Sequence, residues 1–226
     1  MLDQFVAWLK DWQTLVAGGL AIVAAFIGGH FIMVQVRLAE RQENDRRARA
    51  YAAARATMPL ALSSISEYAL ACGRTLRVLH MQAAEETIPH QTAAVQFPTL
   101  PVEVISDFQN LIATTVDPAV GEVFARLLAS LQVQAARLRS VQSNLAPDAP
   151  SAVMVVSAEL EDRILDAAGL FARAGALFEF ARGLSDVPPL EFKPGDRKLA
   201  MHLMGFYDYE QARLYETADR RSDFSI

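Results

Sequence analysis

The chain has 226 residues, 52% of them hydrophobic and 21% charged, and its 21 Lys and Arg against 26 Asp and Glu give a formal charge of −5. That apolar fraction excludes a largely disordered chain, and 11 glycines with 10 prolines exclude a collagen-like or low-complexity one. The single cysteine excludes a disulfide framework and a zinc site built on several thiolates, and the negative balance gives no global attraction to nucleic acid.

The first predicted element is a membrane helix. From Thr14 to Val34, between Gln13 and Gln35, the only side chain able to carry a charge is His30. At the helical rise this stretch is about 31 Å long, matching a hydrocarbon core of about 30 Å. A cleaved signal peptide competes with this reading. It is disfavoured by Asp3 and Asp11 in the leader, by the length of the apolar run and by the lack of a small-residue cleavage site. A buried core helix is disfavoured by the same length and by Trp8 and Trp12, placed where an aromatic belt sits. Residues 1–13 then form a short interfacial segment, 14–34 the span, 35–57 a helical stalk and 58–226 a separate domain.

Orientation follows from the flanks. Lys10 stands alone before the span, whereas Arg37, Arg41, Arg46, Arg47, Arg49 and Arg55 follow it, and positive flanks stay in the cytoplasm. The N-terminus is therefore expected on the far side of the membrane and the C-terminal domain in the cytoplasm. Cys72 as a free thiol agrees with a reducing compartment. Ala17, Ala21, Ala25 and Gly29 recur every four residues, with Gly18 and Gly28 beside them, so two spans could pack closely as a homodimer. The alternative is that this small-residue face meets only lipid. His30 lies about 9 Å from the middle of the span, a candidate intramembrane polar site or simply a neutral imidazole near the edge.

The stalk lacks a helix breaker and is rich in Ala, Arg, Glu and Gln. Glu43 to Arg47 and Asp45 to Arg49 have the spacing of helical ion pairs. Arg37, Arg41, Arg46, Arg47 and Arg49 are candidate contacts for anionic lipid headgroups, or a plain stop-transfer signal. From Met58, the residues Leu62, Ile65, Ala69, Cys72, Leu76 and Leu79 step by fours and threes, a helical seam in which Cys72 reads as a small buried hydrophobe. Pro59 predicts that a new helix starts here with Thr57 as its N-cap, or that a long helix kinks.

Residues 84–101 hold three prolines and read as a loop. A short helix over about 102–114 follows, and Asp117-Pro118 then opens a helix with the seam Val120, Phe124, Leu127, Leu131, Leu138 and Val141. A short link predicts that the next helix, about 151–182, returns antiparallel. Val153, Val156, Leu160, Ile164, Ala167, Phe171, Phe178 and Ala181 line its expected buried face. A last helix over about 196–220 runs through Leu199, Leu203, Phe206, Glu210 and Leu214. No strand pattern appears, so the expected fold is all-α: a transmembrane helix continuing into a juxtamembrane helix, then a cytoplasmic antiparallel bundle.

The chemistry-bearing residues are sparse. No Glu-x-x-His pair, nucleophile elbow, P-loop or dinucleotide fingerprint occurs, so no catalytic residue, metal or cofactor is assigned. Glu86 and His90 flank Pro89 in the proline loop and read as solvated. His80 at a helix end reads as a cap for the helix dipole, and His202 as a structural imidazole. The run PGDRK at 194–198 could hold a phosphate, yet two cations beside a turn are ordinary. Residues 56–226 carry 14 Lys and Arg against 21 Asp and Glu, net −7, which disfavours nucleic acid as a partner.

The stretches WQTLVAGGLAIVAA, QVRLAERQENDRRARAYAAARA and MPLALSSISEYA resemble hypothetical single-pass inner-membrane proteins of proteobacteria over roughly the first 70 residues. The resemblance implies a topology and carries no activity. The expected function is a membrane-tethered interaction or regulatory module with a protein partner still to be identified. Its rivals are a membrane-associated enzyme without a familiar motif and a sensor that signals through the long helix.

Overall fold

The computed structural model describes residues 2–83, 95–146, 155–207 and 212–220. Every regular element among them is helical: α1 (Leu2–Gln82), α2 (Val102–Thr114), α3 (Pro118–Asn144), α4 (Ser157–Ala176), α5 (Phe178–Ala181), α6 (Pro194–Leu203) and α7 (Ala212–Arg220). The chain divides into two units, residues 1–49 and 50–226.

Among the described residues of the N-terminal unit, every side chain of α1 from Leu15 to Arg49 is exposed. Leu15, Leu20, Phe26, Ile27 and Phe31 all face outward. Among the described residues α1 is the one helix long and apolar enough to cross a membrane. Trp8 and Trp12 stack at its N-terminal end, ring centres 5.9 Å apart.

The C-terminal unit is built on seams. Met58, Leu62, Ile65, Ala69, Cys72, Leu76 and Leu79 of α1 are all buried, as the spacing predicts, and so are Val120, Phe124, Leu127, Leu131, Leu138 and Val141 of α3. Asp117 caps α3, its Oδ1 accepting the Ala119 amide at 2.9 Å. Ser130 meets Arg173 and Arg137 meets Asp166, so α3 and α4 run in opposite directions. At the centre Phe124 lies between Phe108 of α2 and Phe180 of α5, with ring centres 5.6 and 5.8 Å away. Where α1 passes the end of α6, Met204 packs against Gly73, and a Cβ there would require the Met204 side chain to shift.

Several expectations are corrected. No new helix starts at Met58: α1 runs through Pro59, and Thr57, instead of capping, donates its hydroxyl back to Ala54 O at 2.9 Å. The compact unit begins at Ala50, because Tyr51 and Ala54 already pack on its core. The helix expected over 151–182 is shorter. Val156 is its exposed N-cap residue, the path bends at Leu177, and Phe171 and Phe178 are half-buried while Phe180 is fully enclosed.

The terminal helix is likewise two helices. Gly205 at φ +91 ends α6 in a Schellman turn, in which the amides of Gly205 and Phe206 bond His202 O and Met201 O. Leu199 and Leu203 face solvent, and Ala200, Met201, Met204 and Phe206 take the buried positions. Residues 84–94 with Glu86 and His90, the stretch 147–154 with Val153, and Glu210 lie outside the described residues.

The aromatic stack sets a hierarchy of core positions. Phe124→Ala is expected to cost about 3–5 kcal/mol, whereas half-buried Phe171→Ala should cost about half as much. Chemical denaturation of the two variants ranks them, and equal losses would contradict this packing.

Candidate functional site

The residues singled out in the N-terminal unit form two groups on α1. Ala17, Ala21, Ala25 and Gly29 are exposed and fall within an arc of about 120° at helical spacing. No atom lies within 4 Å of where a Cβ on Gly18, Gly28 or Gly29 would sit, so nothing inside the chain requires these glycines. His30, also exposed, lies about 160° from the centre of that arc, on the bulky face with Phe26 and Ile27. It is not part of the small-residue stripe.

Arg37, Arg41, Arg46, Arg47 and Arg49 are all exposed, and the helical repeat spreads them around every side of α1. Arg47 pairs with Glu43 at 2.9 Å, as expected. Arg49 does not reach the Asp45 carboxylate: its Nε donates to Asp45 O at 3.2 Å instead. Arg37 turns back toward the span, Nη2 lying 3.7 Å from Met33 Sδ. A shallow groove here is bounded by Ala39, Glu40, Glu43, Asn44 and Arg47. All five belong to one helix, so it has no opposing wall.

Arg55 is different. It counts toward the basic flank in the sequence, but it is half-buried in the C-terminal unit. Its Nε and Nη2 donate to Phe180 O at 3.0 and 2.6 Å, Nη2 donates to Ser185 O at 2.7 Å, and the guanidinium lies 4.2 Å from the Phe180 ring centre. A cation thus sits on one C-terminal carbonyl of α5, where the peptide dipoles leave partial negative charge, and on the Ser185 carbonyl beyond its end.

Within the core, Tyr68, Cys72 and Gln134 form the buried polar cluster. Tyr68 and Gln134 lie beside the Cys72 sulfur, and Gln134 Nε2 donates to Arg163 O at 3.4 Å. Gln134 Oε1 is buried and, among the described residues, has no hydrogen-bond partner. Burial pushes the Cys72 thiol up to about 12, and its polar neighbours Tyr68 and Gln134 offset only part of that rise. Burial also raises the Tyr68 phenol, with Cys72 adding to the effect and Arg139 opposing it. Tyr68 and Cys72 belong to α1, Gln134 to α3 and the Arg163 carbonyl to α4, so the cluster sits where these three helices meet.

The remaining sequence candidates resolve into structural roles. His80 lies across from α4, Nε2 being 3.7 Å from Glu161 Oε1, and Arg213 Nη2 approaches the other oxygen of that carboxylate at 3.9 Å. His202 meets the Tyr207 ring edge-on at 5.1 Å. At the α6 start Asp196 accepts the Lys193 amide at 3.0 Å, and buried Arg197 donates to Ala218 O at 3.0 Å. Among the described residues no three His, Cys, Asp or Glu gather in a metal-binding group. No protein-family model matches the chain, and no curated protein or solved structure is similar to it.

The polar cluster generates a pH dependence. The folded state holds the Cys72 and Tyr68 protons more tightly than the unfolded chain does. Their contribution is complete below the unfolded thiol value near 9 and drains away as pH rises toward about 12. Stability should therefore fall with rising pH across that window, and Cys72→Ala with Tyr68→Phe should flatten the fall, as read by denaturant titrations at stepped pH. An unchanged slope in the double variant would place the alkaline loss elsewhere.

Proposed function

We propose that this chain is a single-pass inner-membrane protein whose cytoplasmic C-terminal unit, an antiparallel helical bundle, works as a tethered interaction or regulatory module. The observation that carries the reading is the outward-facing apolar stretch of α1 over residues 14–34, because side chains of this kind need a hydrocarbon environment that the chain itself does not supply. The arginines beyond it support a cytoplasmic C-terminal side and contacts with anionic headgroups. Confinement to a surface raises the effective concentration of the bundle toward a protein partner on the same membrane.

A second reading, transmission of a signal along α1 into the bundle, is favoured by one observation. α1 is uninterrupted from Leu2 to Gln82, passing through Pro59 without a break. Both readings accommodate a homodimer through Ala17, Ala21, Ala25 and Gly29, with His30 left outside that interface.

Fusion of a periplasm-active phosphatase after residue 60 is expected to be silent, and a cytoplasmic fluorescent reporter at the same point to glow; the reverse pattern overturns the orientation. For the homodimer, Ala25→Leu with Gly29→Leu is expected to lower crosslinking of the full-length protein in membranes several-fold at unchanged helix content. Crosslinking that persists would reduce the stripe to a lipid-facing surface.

A further inference from the structure

We propose that residues 182–190 form a strap latched by Arg55, and that a displacement of α1 at Pro59 releases it. This inference does not depend on the membrane reading, since every residue it uses lies in the C-terminal unit.

The strap leaves α5 through a Schellman turn at Gly183, φ +75, with Gly183 N on Phe180 O at 3.0 Å and Leu184 N on Glu179 O at 2.9 Å. Ser185 Oγ accepts the Val187 amide at 3.3 Å. Within these few residues Leu184, Val187 and Leu190 are 75%, 69% and 62% exposed. The far part of the strap is anchored by buried Pro188. The part next to α5 is held by Arg55: one guanidinium bonds a carbonyl on each side of Gly183, Phe180 O and Ser185 O, while covering the Phe180 ring.

The second observation is in α1 itself. Pro59 has no amide hydrogen, so the carbonyl of Arg55, four residues back, loses its intrahelical donor. The turn that carries the latch is therefore the turn of α1 with a missing backbone bond, and the helix yields there first. Phe180 in turn stacks on Phe124, so the latch also touches the centre of the core. A shift of α1 withdraws the guanidinium from both carbonyls together, which makes the strap a two-state element biased by one helix.

The test is hydrogen exchange on the full-length chain in detergent micelles, comparing the Gly183, Leu184 and Val187 amides with those of α3 around Phe124. Arg55→Gln, which cannot bridge both carbonyls, is expected to speed exchange in the strap by about tenfold or more with α3 unchanged. Pro59→Ala, which restores the donor to Arg55 O, is expected to slow strap exchange several-fold. No change in the strap, or an equal rise in strap and α3, for Arg55→Gln overturns the latch. Strap exchange unaltered by Pro59→Ala overturns the release through α1.

Discussion

A helix satisfies its own backbone, and the rest of this structure depends on that property. Amides and carbonyls paired along α1 need nothing from their surroundings, so the same element serves with its side chains exposed from Leu15 to Arg49 and packed into a core after Ala50. What changes along it is side-chain chemistry. Residues 14–34 are apolar on every side, residues 37–49 are charged on every side, and from Met58 onward one seam alone is apolar. A strand could not make these transitions without finding a new partner for its edge at each step.

The one weak point of that self-sufficient backbone is compensated from outside. Pro59 removes an intrahelical bond at Arg55, and the same residue's side chain bonds two carbonyls of another segment. The C-terminal unit thus gains a cross-tie where the helix is softest. The buried trio Tyr68, Cys72 and Gln134 does comparable work deeper in. The one hydrogen bond fixed there, from Gln134 Nε2 to Arg163 O, ties α3 to α4 directly beneath the seam of α1, and burying polar atoms at this point favours the seating that keeps them together.

Periodicity made most of this legible. The seams of α1 and α3 could be read residue by residue because long helices with regular apolar spacing leave one phase open, and Asp117-Pro118 marked its helix start correctly. The failures came where local backbone chemistry overrode the period. Gly205 and Gly183 end helices through left-handed turns that apolar spacing does not register, so the phase after each was lost. Reading 196–220 as one helix forces a single phase on both sides of Gly205, which puts Leu199 and Leu203 on the buried face although they face solvent, and the break at Leu177 shifts the phase so that Phe180 and not Phe171 is enclosed. Gly205 between apolar residues was the available signal. Arg55 could not be found by charge counting, because its partners are backbone carbonyls, which every residue has.

The arginines after the span argue one further step about geometry. A helix that lies on a membrane surface gathers its cations on one face and its apolar side chains on the other. Here Arg37, Arg41, Arg46, Arg47 and Arg49 point to all sides, and Glu40, Glu43 and Asp45 are interleaved with them. The stretch therefore lacks the two-faced pattern of a surface-lying helix, and Arg37 bends back toward Met33, its aliphatic stem lying along the apolar residues that precede it. Interleaved acidic residues pair with part of the positive charge, as Glu43 does with Arg47, so the stretch is a mixed-charge segment whose basic excess is spread around the whole helix rather than gathered into one patch.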